Sequence, residues 1–157
     1  MPAVDRPDIV IFPPLAMLIA IVAAVTLEWL LPLQILPPPF PFWMTAIGAL
    51  LVLASLAVAG SGARTFAKSG TKIDVRQPTL KVVETGPYRF IRNPMYLGMV
   101  GAQFGLAFAF SLDWALIGGV ALWAVLHYGV VLREEAYLTA KFGETYTAFM
   151  GRTHRWL

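Results

Sequence analysis

The sequence predicts an all-α integral membrane protein with four transmembrane helices. Of its 157 residues, 58% are hydrophobic and 13% are charged, and the mean hydropathy is +0.68. A soluble domain carries about 25% charged residues. The apolar residues form four runs, and most lysines and arginines lie in the polar segments between and after these runs. One domain over residues 1–157 is expected from the length.

The first two predicted spans cover residues 9–28 and 42–63. No charged residue occurs from position 9 to position 27, and about 20 apolar residues cross a hydrocarbon core. A signal peptide is the alternative for the first run, but the N-terminus lacks the basic region of such peptides. Prolines between the two runs predict a short, stiff turn. They are Pro32, Pro37, Pro38, Pro39 and Pro41.

The third and fourth predicted spans, residues 95–112 and 114–132, form a helical hairpin with a tight turn between them. Beyond residue 132 the sequence becomes polar but keeps apolar residues at helical spacing. We therefore expect the fourth helix to leave the membrane and to end near Gly143, because glycine commonly terminates helices.

Charge predicts the orientation in the membrane. Seven of the twelve basic residues lie in residues 64–94: Arg64, Lys68, Lys72, Arg76, Lys81, Arg89 and Arg92. The positive-inside rule places this segment in the cytoplasm, and four spans then put residues 133–157 and both termini on that side. The chain is thus predicted to be a multi-pass protein in contact with the lipid bilayer. Nucleic-acid binding is disfavoured because two spans flank the basic segment closely.

The sequence excludes several kinds of site. It contains no cysteine, so a disulfide, a thiolate nucleophile and a cysteine metal site are impossible. The two histidines are His127 and His154, and no metal centre is expected from so few ligands.

One stretch, Gly86-Pro-Tyr-Arg-Phe-Ile-Arg-Asn-Pro-Met-Tyr-Leu-Gly98, joins the basic segment to the third span. Asn93 and Pro94 predict a helix start, with Asn93 capping free N–H groups and Pro94 in the first turn. Arg89 and Arg92 precede this start and add to the positive end of the helix, which predicts an anion-binding site. The alternative is that Asn93 and Pro94 only cap a transmembrane helix while the arginines face lipid headgroups.

This stretch, followed by Arg133-Glu134-Glu135 and by Leu138, Phe142, Gly143 and Tyr146, resembles the isoprenylcysteine carboxyl methyltransferase family. Its members are small integral membrane enzymes that use S-adenosylmethionine, and phospholipid methyltransferases are more distant relatives. The resemblance covers residues 64–157 and implies a cytoplasmic cofactor pocket. It implies these cofactor-binding residues: Gly86, Pro87, Tyr88, Arg89, Arg92, Asn93, Tyr96, Leu97, Glu134 and Glu135.

The resemblance also implies catalytic roles for Arg133 and Glu134, with Arg133 orienting an anionic acceptor. Taken alone, two acids at a helix exit could simply solvate the helix end and pair with nearby arginines. The family motif usually has histidine where this chain has Asn93. Asparagine can donate a hydrogen bond but cannot become a cation near neutral pH.

Two polar residues inside the predicted spans, Gln103 and His127, are expected to line a substrate path. Gln103 lies seven residues after Tyr96 and His127 lies seven residues before Glu134, so each pair shares a face of a regular helix. Polar groups at membrane depth are costly unless they have partners or line a wet cavity. The alternative is a structural hydrogen bond between helices.

The C-terminal residues also resemble the family, and we expect them to fold over the cofactor. They include Tyr146, Arg152, Arg155 and Trp156. The alternative is an amphipathic tail that rests on lipid headgroups.

The predicted function is that of an integral membrane methyltransferase that uses S-adenosylmethionine. The acceptor would be lipophilic or delivered by the membrane, most like isoprenylcysteine carboxyl O-methylation. Methylation of a phospholipid amine or of a small thiol is an alternative, and a non-catalytic transport or assembly module is another. Transporters place charges or broken helices at mid-membrane, whereas this chain keeps its charges at helix ends, which favours an enzyme.

Overall fold

The computed structural model describes residues 5–37 and 41–157, and the regular secondary structure of these residues is helical. This confirms the all-α prediction. Six helices occur in chain order: α1 Pro13–Leu30, α2 Phe42–Lys68, α3 Pro94–Phe110, α4 Asp113–Leu126, α5 Leu132–Phe142 and α6 Glu144–Gly151. Pro38 and Pro39 of the predicted turn lie outside the described residues.

Two further turns are important for the site. A π-helical turn, His127–Val131, joins α4 to α5, so that Asp113–Phe142 is one continuous helix. A 3₁₀ turn, Gly86–Arg89, precedes α3. The continuous helix ends before Gly143 as predicted, since this glycine has a φ of 54°.

Three helices are long and apolar enough to cross a membrane: Pro13–Leu30, Phe42–Lys68 and Asp113–Phe142. Most of the apolar side chains in these helices point outward, because only 17–33% of each apolar stretch is buried inside the protein. Helices that are apolar all round and expose those side chains are typical of membrane proteins. Helix α3 is shorter, with 17 residues. Helix α1 begins at Pro13 and not at residue 9, because proline has no N–H to donate and fits the first helical turn.

The predicted hairpin turn is held by a buried carboxylate. Asp113 is 2% exposed, and its two oxygens accept the backbone N–H groups of Ile35 and Leu36, each at 2.8 Å. Glu28 at the end of α1 accepts the N–H of Trp114 at 3.1 Å. The acids at this end of the protein therefore tie the segment after α1 to the turn between α3 and α4.

Helices α2 and α3 form the most extensive helix pair. Glycines allow their backbones to touch, as is common between membrane helices. A Cβ atom built on Gly48 would lie 2.2 Å from the backbone N of Ala109, and one on Gly98 would lie 2.5 Å from the backbone O of Ser55. No larger residue fits at either position unless the helices separate.

Gly48→Ala is expected to lower the free energy of unfolding by about 1–3 kcal/mol, because the new methyl group meets backbone atoms. Gly60 is the matched control, since it lies in the same helix and no atom lies within 4 Å of a Cβ built there. Gly60→Ala should be neutral or stabilise by up to about 1 kcal/mol through helix propensity. Thermal unfolding of both variants in one detergent measures the difference. Equal stabilities would contradict the close contact of α2 and α3.

A second, smaller core joins the segment before α3 to the C-terminal helices. Val83, Tyr88, Tyr146 and Phe149 are buried together in it. This core brings the basic segment, the start of α3 and helices α5 and α6 to one end of the protein, where the site lies.

Candidate functional site

A pocket with about 710 Å³ of empty space, part of it open to solvent, lies at this end. Its walls come from residues 72–83, the start of α3, the start of α5 and helix α6. The ionisable lining residues are the acids Glu134 and Glu135 and the cations Lys72, Lys81 and Arg92. The aromatic ones are Phe66, Tyr88, Tyr96, Tyr146 and Phe149. Such a lining combines apolar surface with a few charges, as ligand pockets do.

Glu135 is a buried hub of ion pairs. It is 8% exposed, and its carboxylate accepts a hydrogen bond from Arg92 Nε at 3.0 Å and from Arg155 Nη2 at 2.7 Å. Arg92 also donates to the backbone oxygens of Met150 and Thr153. Buried charges are stable only when they are paired and hydrogen-bonded. Glu135 therefore serves to hold the start of α3 against the C-terminal tail, residues 152–156.

Backbone bonds complete this attachment of the tail. Arg92 N donates to His154 O and His154 N donates to Phe90 O, both at 2.8 Å. These contacts hold the tail against residues 90–93, beside the start of α3. No residue of the tail lines the pocket, so the expectation that the tail folds over the cofactor stays a prediction.

Asn93 does not cap α3 with its side chain, so that prediction is wrong. Its Nδ2 donates to the backbone O of Arg155 at 2.9 Å. The tail supplies a carbonyl acceptor for the amide N–H, which holds the Asn93 side chain against the tail. Helix α3 does begin at Pro94, as the sequence predicted.

Glu134 has a different environment from its neighbour. Its Oε2 accepts a hydrogen bond from Tyr96 Oη at 2.9 Å. Among residues 5–37 and 41–157, no cation lies within ion-pair distance of it. Glu134 follows the apolar part of the helix, which ends at residue 132. Burial raises the pKa of Glu134 to about 7, against a lowering by the Tyr96 hydrogen bond and with a further rise from the nearby charge of Glu135.

Tyr88 places an unused polar atom in the pocket wall. The residue is 3% exposed, and its Oη has no hydrogen-bond partner within the described part of the chain. Leaving a buried hydroxyl unpaired costs about 1–3 kcal/mol. This hydroxyl lies towards Gly62 of α2, where a Cβ atom would be 3.4 Å from it.

Six of the ten cofactor-binding residues implied by the resemblance line the pocket: Tyr88, Arg92, Asn93, Tyr96, Glu134 and Glu135. The other four, Gly86, Pro87, Arg89 and Leu97, lie beside it without lining it. Arg89 is exposed, with its guanidinium 6.0 Å from the centre of the Phe90 ring.

Arg133 lies outside the pocket lining. Its Nη1 donates to Asp8 O at 2.9 Å and to Asp8 Oδ2 at 3.3 Å, and its side chain is 44% exposed. A hydrogen bond to an acid near the N-terminus thus occupies the arginine that was predicted to orient the acceptor.

Gln103 and His127 make contacts between separate segments and do not line the pocket. Gln103 is fully buried, and its Nε2 lies 3.5 Å from the backbone O of Ala20 in α1. His127 Nδ1 accepts the indole N–H of Trp156 at 3.1 Å. The contact of Gln103 joins two helices, as in the structural alternative, whereas the partner of His127 lies in the tail, and the substrate path stays a prediction.

The sequence did not identify the wall formed by residues 72–83. Lys72 and Lys81 were noted only as charges that set the orientation in the membrane, yet both line the pocket together with Thr79. The many basic residues of this segment could have indicated a pocket wall, because an enclosed anionic ligand requires cations around it.

A family model described as phospholipid methyltransferase matches residues 43–145. No curated protein and no solved structure matches the chain. The match includes both acids of the pocket and the whole of α3.

Proposed function

The chain belongs to the phospholipid methyltransferase family, and from this premise we propose that it methylates the amine of a membrane lipid with S-adenosylmethionine as cofactor. The observation that carries this proposal is Glu134, a carboxylate with no cationic partner in the described part of the chain, inside a pocket with cations and aromatic rings. An amine acceptor needs a group that can take its proton, and Glu134 can do so.

Several residues fit the cofactor. The aromatic rings of the pocket wall can contact its positively charged sulfur. Lys72 and Lys81 would hold its carboxylate, because Arg92 is committed to Glu135. When bound, the cofactor supplies a methyl group on a positively charged sulfur.

A second cavity supports a lipophilic acceptor. It has about 640 Å³ of empty space, and it shares Ile73, Val75, Met95 and Tyr96 with the first pocket. Its other walls are mainly apolar and come from the start of α1 and from α3: Phe12, Pro13, Pro14 and Met99. An acyl chain in this cavity would bring a headgroup to the side of Tyr96 that faces Glu134.

The chain's own residues prepare the acceptor nitrogen. Glu134 takes a proton from the ammonium of the lipid, which leaves a neutral nitrogen with a free electron pair. Tyr96 Oη donates to Glu134 and fixes the orientation of its carboxylate. The apolar walls limit access of water. Positioning and electrostatic fit of this kind account for most of the acceleration that a methyl transfer requires.

Carboxyl O-methylation of an isoprenylated cysteine is the second candidate. Lys72 and Lys81 favour it, since two cations in the pocket wall could hold an anionic acceptor. The bond between Arg133 and Asp8 disfavours it, because the predicted orienting arginine lies elsewhere. We place the pocket on the cytoplasmic side in either case, as the pocket wall belongs to the most basic segment of the chain.

The test uses purified protein in vesicles that contain either phosphatidylethanolamine or a farnesylated cysteine compound, with methyl-labelled cofactor. We expect saturable binding of the cofactor and label in the phosphatidylethanolamine fraction that resists base. Label released by base as methanol would indicate a methyl ester and support the second candidate. The cofactor is added outside the vesicles, and because it is charged it does not cross the bilayer. Label is therefore expected only in vesicles in which the basic segment of the protein faces the outer solution. Absence of both binding and label would contradict the proposal.

A further inference from the structure

The π-helical turn His127–Val131 determines which side chains of α5 face the pocket. Leu132 N donates to His127 O, five residues earlier, so this turn contains one residue more than a turn of α-helix. One residue corresponds to a rotation of about 100°. If the helix had no π-turn, Arg133 would therefore point in the direction in which Glu134 now points. The pocket would then receive a cation where it now has a carboxylate.

A segment that precedes α1, residues 5–12, lies along one face of this helix. We call it the N-terminal strap. Its contacts fall on Gly129, Arg133, Tyr137 and Lys141, which are four residues apart and so share a face. This face does not line the pocket.

Ile9 and Ile11 of the strap pack against the apolar core, and its other contacts are polar. Val10 N donates to Gly129 O at 2.9 Å, inside the π-turn. Asp8 accepts from Arg133 through its backbone O and its carboxylate. Asp5 accepts from Tyr137 Oη at 2.8 Å and from Lys141 Nζ at 2.7 Å.

We infer that the N-terminal strap is a positioning element that fixes the π-turn, so that Glu134 faces the pocket and Arg133 stays outside it. Val10 acts through its backbone N–H, because an external donor to Gly129 O stabilises the wider turn. Asp8 acts by giving Arg133 a partner on the outer face. The strap lies outside the residues that the family model matches. The effect on catalysis rests on the proposed function, whereas the effect on the helix register does not.

Val10→Pro tests the inference, because proline has no N–H to donate to Gly129. Val10→Ala is the matched control, since it keeps the N–H and the Val10 side chain is 66% exposed. We expect Val10→Pro to lower kcat by up to about 100-fold, the effect of a misplaced catalytic group, and Val10→Ala to keep the wild-type rate. Combined with Glu134→Gln, Val10→Pro should add little further loss, because it acts through Glu134. If the losses of kcat in the two single variants multiply in the double variant, the inference is wrong.

Hydrogen exchange gives a readout that needs no methyl transfer. In the wild-type protein the amide of Val10 should exchange slowly, together with that of Leu132. In Val10→Pro the amides of residues 131–135 should exchange faster, while Val10→Ala leaves them unchanged. If the wild-type protein transfers no methyl group but exchange responds in this way, the proposed function fails and the register inference stands. Rapid exchange of the Val10 amide in the wild-type protein would overturn the inference, even where Val10→Pro does not fold.

Discussion

Replacing Glu134 with glutamine is expected to slow methyl transfer by about 100- to 10,000-fold, the range for loss of a general base. Glutamine has almost the same shape and can still accept the hydrogen bond from Tyr96, but it cannot take a proton from an ammonium group. Cofactor affinity should therefore change little. The measurement is kcat with labelled cofactor and phosphatidylethanolamine vesicles, together with the dissociation constant of the cofactor.

Glu144→Gln serves as the control, because Glu144 is an exposed acid in α6. The pH dependence provides a second check. Since the pKa of Glu134 is raised to about 7, the wild-type rate should rise as the pH increases through about 7, and Glu134→Gln should lose this rise. A Glu134→Gln variant with wild-type turnover would exclude Glu134 as the base.

The same pKa predicts the effect on stability. A carboxyl group whose pKa is raised on folding stabilises the protein most below its ordinary pKa, and this contribution is lost as the pH rises through the folded value. Above pH 7, Glu134 carries a negative charge that its partly buried position disfavours. Glu134→Gln should therefore keep or raise the stability at pH 8 while it lowers the activity.

Glu135→Gln, unlike Glu134→Gln, is expected to destabilise the protein. The free energy of unfolding should fall by about 3–5 kcal/mol, the cost of breaking a buried ion pair. Arg92 would remain buried, at 9% side-chain exposure, without its anionic partner. The Arg155 side chain is 38% exposed and can turn to solvent. The expected loss of stability is therefore near the lower limit of this range. The tail should detach, so that trypsin cleaves after Arg152 and Arg155 much faster than in the wild-type protein.

Glu84→Gln is the matched control for Glu135→Gln. Glu84 forms an ion pair with Arg152, but both side chains are largely exposed, at 38% and 56%. Exposed pairs contribute about 0–1 kcal/mol, so cleavage and thermal unfolding should scarcely change. If both variants release the tail equally, Glu135 is not the residue that holds it.

The sequence predicted the helices well because their signal is local. Each apolar run became a helix, and prolines and glycines marked the ends at Pro13, Pro94 and Gly143. The all-α class is thereby confirmed, and the family match confirms the resemblance to membrane methyltransferases. The four-span topology stays a prediction, since α3 has one residue fewer than the shortest of the three helices that qualify.

The parts of the site that the sequence did not predict depend on contacts between distant segments. His127 was expected to share a face of a regular helix with Glu134, seven residues later, but the π-turn between them rotates the start of α5 by about 100°. No pattern in the sequence specified that turn, which the N-terminal strap contacts from 119 residues away. The side chain of Asn93 likewise donates to the backbone O of Arg155, 62 residues later, and does not bind the N–H groups of α3.

The attachment of the tail also determines when the pocket can form during synthesis of the chain. Residues 90–93 form one side of this attachment, and residues 153–155 form the other. Chains are made from the N-terminus at about 5–20 residues per second, so α3 and α4 leave the ribosome before the tail does. A chain arrested during membrane insertion has Arg92 but not Glu135, its ion-pair partner. The pocket can thus be completed only after the last apolar helix has been delivered to the membrane, and an unfinished chain has no complete pocket.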